Sequence, residues 1–226
     1  MNRVYYTIQD RQQLPADLDW LTAAERERLE GFRFDKRRRD WLLGRWAAKL
    51  ALLEITGLST REIRRFEIDS APNGAPLPLL DDSPCRVGLS LSHSHDRAFC
   101  AVSRTAQALG CDIELVEPRS AVFVETYFTE SESAHVEETS PSQRDSLVTR
   151  IWSAKESTLK ALRTGLQADT RSVEVRDAGE RAGQGWSIAR TIVAGAGEFS
   201  CLWRLDDGFV LTIATREPAA TPTHCS

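Results

Sequence analysis

The sequence predicts a globule of mixed helix and strand, in which strand, loop, helix and further strands follow one another twice along 226 residues. Three observations predict it. The 41% hydrophobic and 27% charged fractions are those of an ordinary soluble protein, long enough for one large core or two small ones. Two long segments carry helical spacing with clear end signals. Several shorter segments alternate apolar and other residues, and Asp206-Asp207-Gly208 is a hairpin turn between the last two.

The elements follow in order. Val4 to Ile8 reads as a short strand. Thr22-Ala23-Ala24-Glu25 is a capping box that opens a short helix. Asp40 to Thr56 reads as a helix, apolar on most sides and ended by Gly57, so it belongs at the centre of a core. Ile63 to Ile68 reads as a strand, and the Pro/Gly/Asp-rich stretch from Ser70 to Pro84 as a loop. Val87, Leu89, Leu91 and His93 share one face of a strand, with Ala98 to Ser103 as its partner. In Leu109 to Leu115 the odd positions face a core, and Gly110, Asp112 and Glu114 face the other way. Ser140, Pro141 and Gln143 supply an N-cap, a first-turn proline and a third-position glutamine for a long helix, with Gly165 as its stop. Val173 to Arg176, Trp186 to Val193, Phe199 to Leu205 and Phe209 to Thr215 read as strands. The Pro/Ala/Thr-rich tail from Glu217 reads as loose. No internal sequence repeat stands out.

Several classes are disfavoured. The first ten residues hold no signal-peptide core, and Trp41 to Ile55 is broken by Arg45, Lys49 and Glu54, so it is no membrane span. The five cysteines form no disulfide framework. Cys100 and Cys111 read as packing groups, which fits a reducing cytoplasm. Net charge is −4, yet residues 22–65 hold twelve Lys or Arg against seven Asp or Glu, or +5, leaving −9 elsewhere. A basic zone on an acidic chain suits a polyanionic ligand or an acidic partner rather than nucleic acid.

Candidate chemistry gathers in two places. Asp112 and Glu114 stand roughly 7 Å apart along one strand face and can converge on a hard cation. An ordinary solvated strand face fits the same two residues. Trp152, Glu156 and Lys160, spaced i, i+4 and i+8, share one side of the long helix. A plain surface Glu156–Lys160 pair fits that spacing too. His93-Ser94-His95 suggests a zinc pair on one strand face, but no third ligand follows at a recognisable spacing.

Taken together, Gly110-Cys111-Asp112-Ile113-Glu114 and Trp152-Ser153-Ala154-Lys155-Glu156-Ser157-Thr158-Leu159-Lys160 resemble the paired signatures of the 4′-phosphopantetheinyl transferase superfamily. Length and further motifs resemble its surfactin-synthetase-activating type. Asn73-Gly74-Ala75-Pro76 resembles the family's turn before the first signature strand. Leu89-Ser90-Leu91-Ser92-His93-Ser94 resembles its Ser-His-Ser element, and Tyr127-Phe128-Thr129-Glu130-Ser131-Glu132 its Phe-(Ser/Thr)-x-x-Glu element. The arginine-rich run ahead of Trp41 and Arg45 resembles its basic helix entrance. The resemblance spans roughly residues 22–176.

The resemblance implies an α+β fold of two similar, pseudo-symmetric lobes, each a small mainly antiparallel sheet packed on a long helix. The lobes would be residues 1–105, basic and on the coenzyme A side, and 106–216, with 217–226 as tail. It implies transfer of 4′-phosphopantetheine from coenzyme A to a serine of an apo acyl or peptidyl carrier protein, releasing 3′,5′-ADP. Asp112, Glu114 and Glu156 match the family's Mg2+ ligands, with Mn2+ as an alternative. Glu156 also matches a general base, with a metal-bound water as the alternative because a nearby dication lowers the carboxylate pKa, and Lys155 and Lys160 match lysines near the phosphates. Ser92, His93, Arg38, Arg39, Arg45, Gly74 and Pro76 match contacts to coenzyme A. Ala75 departs from the pattern, because many relatives carry a basic residue there. The expected protein is a cytoplasmic monomer serving an acidic carrier, away from nucleic acid and membrane. Two other classes stay open: a non-catalytic coenzyme A or carrier-protein binding module, and a metal-dependent nuclease. Leu115-Val116 after Glu114 lacks the acid-x-Lys pair that a nuclease usually wants.

Overall fold

A computed structural model describes residues 3–105, 108–164 and 168–225. Three sheets build the fold: two stack face to face with a long helix on the outer face of each, and a small three-stranded one lies beside the first of those helices. The first sheet uses β1 (Tyr5–Asp10), β5 (Gly88–Ser94), β6 (Arg97–Ser103) and β12 (Thr223–His224) in the order β12-β1-β6-β5. The second uses β7 (Leu109–Leu115), β8 (Val173–Gly183), β9 (Trp186–Val193), β10 (Gly197–Asp206) and β11 (Phe209–Thr215) in the order β7-β11-β10-β9-β8. Helix α2 (Asp35–Thr56) lies on the first sheet, and α5 (Pro141–Ala161) on the second. Short helices α1 (Ala23–Glu30), α3 (Ala121–Tyr127) and α4 (Glu130–Glu138) flank them. This is the α+β class, with the four- and five-stranded sheets each paired to one long helix.

Strand alternation builds the layers. Along β6, Ala98, Cys100 and Val102 pack under α2, while Phe99 and Ala101 face the second sheet. Along β7, Leu109, Cys111 and Ile113 join that shared core with Leu211 and Ile213 of β11. The even face of β7 is not solvated, because α5 covers it. Gly110 makes this closeness possible: a Cβ there would lie 1.8 Å from the Ser157 carbonyl oxygen and 2.6 Å from the Ala161 nitrogen. Asp112 is consequently only 3% exposed.

A repeated device pins each long helix to a capping-box helix and a strand, β2 (Phe66–Ser70) for α2 and β8 for α5. Thr22 and Glu25 form the capping box of α1, and Glu25 also accepts from the Ile68 N–H at 3.1 Å and from Lys49 Nζ of α2 at 2.5 Å. Thr129 and Glu132 form the capping box of α4, and Glu132 accepts from the Val175 N–H at 2.7 Å and pairs with Lys155 Nζ of α5 at 2.7 Å. Both lysines are fully buried. They occupy the same place in two short matching runs, Trp46-Ala47-Ala48-Lys49 and Trp152-Ser153-Ala154-Lys155.

Four sequence expectations need correction. Helix α2 begins at Asp35 rather than Asp40, because its N-cap is Phe34, which offers no capping side chain. The expected loop from Ser70 to Pro84 contains two strands: β2 (Phe66–Ser70) pairs with β3 (Pro76–Leu80), which pairs with β4 (Ser83–Pro84). A three-residue-per-turn segment, Thr60–Arg65, precedes β2, so that strand starts later than the alternation suggested. The tail is docked rather than loose. Thr223 donates to Val4 O at 3.0 Å, Cys225 donates to Tyr6 O at 2.8 Å, and β12 runs parallel to β1. The Gly165 stop lies outside the described residues. Among those residues, no helix is long and apolar enough to cross a membrane.

Candidate active site

The edge strands β5 and β7 meet between the two sheets, and α5 crosses above them. Three side chains join there. Ser92 Oγ of β5 donates to Asp112 Oδ1 of β7 at 2.7 Å. Lys160 Nζ of α5 reaches both, at 2.9 Å from Ser92 Oγ and 2.7 Å from Asp112 Oδ1. Burial works against the Lys160 charge, but Asp112 and Glu156 outweigh it and hold its pKa above the ordinary value.

Two carboxylate oxygens are buried here without a hydrogen-bond partner among the described residues, Asp112 Oδ2 and Glu156 Oε1. Burial, then the charges of Asp112 and Glu114, push the Glu156 carboxyl up to about 7 against the pull of Lys160. Glu114 is raised for the same reasons, led by burial. Its oxygens are already engaged: Oε1 accepts from Trp152 Nε1 at 3.1 Å, and Oε2 from Arg119 Nη2 at 3.2 Å.

Among the described residues, no group of three or more His, Cys, Asp or Glu side chains is arranged as a ready metal cage. The donor set still fits a hard cation. Mg2+ takes one or two carboxylates together with substrate phosphates and water, rather than an all-protein cage. Asp112 Oδ2 and Glu156 Oε1 are two such oxygens. They are buried, unpaired and of like charge, which is the condition a cation relieves.

Two neighbouring cavities open beside this junction. One, of about 750 Å³, is lined by Arg28, Lys36, Arg37, Arg45, Ser92 and His93 among others. Arg45 packs over the Trp41 ring at 4.3 Å, donates to Ile68 O at 3.4 Å, and is pushed down to about 10 by burial. His93 Nε2 stands 3.8 Å from Asp40 Oδ2 with its side chain 58% exposed. Burial lowers its pKa, against the pull of Asp40. The second cavity, of about 190 Å³, is lined by the Asn73–Pro76 turn together with Lys160 and Arg163. Gly74 and Leu91 line both cavities.

The sequence-derived residues therefore sort into three groups. Ser92, Asp112, Glu114, Glu156 and Lys160 come together, and Arg45, His93, Gly74 and Pro76 line the adjoining cleft. Arg38 and Arg39 do not line it. Helical spacing places Lys36, Arg37, Asp40, Trp41 and Gly44 there instead, a set hidden from the sequence by the misjudged helix start. Lys155 is a correction as well. It points away from Glu156 and Lys160, into the protein, where Glu132, Thr170 O and Val173 O surround its ammonium. His93 and His95 do not share a face, because β5 ends at Ser94 and His95 turns with a φ of 48°. Ala75 is half-buried at the smaller cavity.

Sequence reasoning missed Arg163. It follows the α5 cap at Leu162 with a φ of 58°. Its N–H donates to Lys160 O, and the Thr164 N–H to Leu159 O, which is the helix-ending motif usually built on glycine. A non-glycine residue there costs about 1 kcal/mol.

Comparison with known proteins places this geometry in a family context. Residues 108–214 match the family model of the 4′-phosphopantetheinyl transferase superfamily. The 4′-phosphopantetheinyl transferase HetI of Nostoc sp. is 29% identical over 159 residues, which are 69% of this chain and 64% of HetI. The chain thus spans less than two thirds of that relative's length. A Bacillus subtilis 4′-phosphopantetheinyl transferase is 27% identical over 184 residues, 78% of each chain. A holo-(acyl-carrier-protein) synthase from Bacillus anthracis, solved in complex with CoA (3′,5′-ADP), aligns with 45% of this chain and 93% of its own at 23% identity and a TM-score of 0.38.

Proposed function

We propose, from the premise that this chain belongs through residues 108–214 to the 4′-phosphopantetheinyl transferase superfamily, that it moves 4′-phosphopantetheine from coenzyme A to a serine of an apo acyl or peptidyl carrier protein. The observation that carries the reading is the junction of Ser92, Asp112 and Lys160, where a cleft rich in cations meets two unpaired buried carboxylate oxygens.

The chemistry follows from those parts. A coenzyme A diphosphate is a polyanion, and Arg28, Lys36, Arg37 and Arg45 give the larger cavity the opposite charge. Lys160, which lines the smaller cavity, brings a point charge beside that cleft, held in place by Asp112 and Ser92. Mg2+ held by Asp112 and Glu156 would neutralise charge building on the diphosphate. The carrier serine oxygen bonds to the phosphorus that bears pantetheine, the bridging oxygen leaves with 3′,5′-ADP, and Glu156 takes the serine proton. In the metal-free protein burial and its acidic neighbours push the Glu156 carboxyl up to about 7, and a bound dication would lower it again. Glu114 is kept in orientation by Trp152 and Arg119 and adds negative charge behind the site. The same reading has the protein act in the cytoplasm as a monomer of the surfactin-synthetase-activating type. The basic lip of the cleft complements an acidic carrier.

Mass spectrometry of an apo carrier protein incubated with this chain, coenzyme A and Mg2+ tests the proposal. The expected result is a mass gain of one phosphopantetheine that chelation prevents. No gain on fatty-acid, polyketide or peptide carriers would leave the chain as a binding module.

A further inference from the structure

We propose that Arg163 is a substrate-binding residue: its guanidinium takes a phosphate group of coenzyme A at the smaller cavity, opposite the Asn73–Pro76 turn. This inference rests on the functional reading above and extends it to a residue that no motif assigns.

Four observations converge on it. Arg163 lines the cavity of about 190 Å³ together with Lys160 and residues Asn73 to Pro76, so two cations face one small space. That cavity shares the lining residues Gly74 and Leu91 with the larger basic cleft. No acidic side chain pairs with the Arg163 guanidinium among the described residues, whereas Arg26, Arg28, Arg65, Arg97, Arg119 and Arg171 each hold an ion pair. The backbone of Arg163 is fixed in an unfavourable place. Its φ of 58° belongs to the left-handed region that glycine adopts freely. Its carbonyl is also gripped from the other side of the cleft by Asn73 Nδ2 at 3.0 Å.

Strain of that kind persists where a side chain has work that glycine cannot do. Among the described residues, the cavity it shares with Lys160 is the place for that work. The cavity has no cation from the turn itself, since Ala75 occupies its lining position there. Arginine presents a planar fork suited to phosphate oxygens, and Lys160 next to it supplies a point charge. The Asn73–Arg163 bond also links the turn to the end of α5. The phosphate is either the diphosphate or the 3′-phosphate, and both come with the same ligand.

Calorimetric titration of coenzyme A into wild type, Arg163→Gln and Arg163→Gly tests this. Both variants are expected to bind roughly 5–10-fold more weakly, the loss of a charge-assisted contact at an exposed site. Arg163→Gly is expected to melt at a higher temperature than wild type, because glycine relieves the left-handed strain. A purely structural arginine would give the reverse pattern, lower melting with unchanged affinity, and that result overturns the proposal. Repeating the titration with dephospho-coenzyme A identifies the group: a persisting deficit assigns the diphosphate, and a vanished deficit assigns the 3′-phosphate. Wild-type affinity in both variants overturns the inference alone. A wild type that binds no coenzyme A overturns the functional reading along with it. An effect on the carrier's KM without one on coenzyme A affinity also counts against Arg163 as a phosphate ligand.

Discussion

Lys155→Met separates a structural lysine from a catalytic one. The motif around Lys155 implies a role near the phosphates, but its ammonium is fully buried on Glu132 and two carbonyls. Methionine fills much the same volume and removes the charge. Glu132 then keeps its Val175 and Thr129 N–H donors but loses its counter-ion, and the Thr170 and Val173 carbonyls lose a donor. Breaking one half of a buried ion pair costs about 3–5 kcal/mol. At about 2–4 °C per kcal/mol for a chain of this size, the melting temperature should fall by about 6–20 °C. Adding Glu132→Gln removes the orphaned charge and should recover part of that loss. The assay is a pair of thermal and urea melts with coenzyme A affinity measured well below each transition. A Lys155→Met protein that melts like wild type but loses coenzyme A affinity would refute the structural assignment.

Three further outcomes are expected. In chelator-treated protein, Glu156 has a folded pKa of about 7 against an ordinary 4.5, so the folded state holds its proton longer than the unfolded chain does. Its contribution to stability is therefore fully present below the ordinary value and fades as pH rises through about 7, by about 3 kcal/mol; Glu156→Gln should flatten that slope in melts between pH 5 and 8, and an unchanged slope would assign it to other groups. Gly110→Ala should cost about 3 kcal/mol or more in a denaturant melt, because its Cβ would meet backbone of α5 rather than a movable side chain. Arg45→Gln should raise the KM for coenzyme A about tenfold and leave that for the carrier unchanged, as expected for a lost charge-assisted bond; the opposite split would move Arg45 to the partner surface.

Local patterns in the sequence carried the parts of the fold that local physics decides. The alternation from Leu109 to Leu115 and the i, i+4, i+8 spacing of Trp152, Glu156 and Lys160 put Asp112 and Lys160 on facing surfaces, and they meet at 2.7 Å. The failures have physical reasons. A motif match carries residue identity but no direction. One helical step of about 100° separates Lys155 from Glu156, and that step sends the lysine into the interior. Asp112 looked exposed because alternation tells which face is which, not what covers it. Covering that face required Gly110, whose missing side chain gives no pattern of its own. Pro76 and Pro78 disguised β3, which pairs over only a short length on the β4 side. Arg163 gave no sign because nothing in a sequence marks a left-handed arginine.

The tail strand also sets a clock on synthesis. Strand β1 obtains β6 as a neighbour on one edge once residue 103 has been made, but its other edge waits for Thr223 and His224. At about 5–20 residues per second, that edge stays open for about 10–40 s after β1 leaves the ribosome. An unpaired strand edge is a template for another chain. Tyr5 and Tyr6 sit on that edge, so the nascent protein is most exposed to misassociation while its last strand is still unmade.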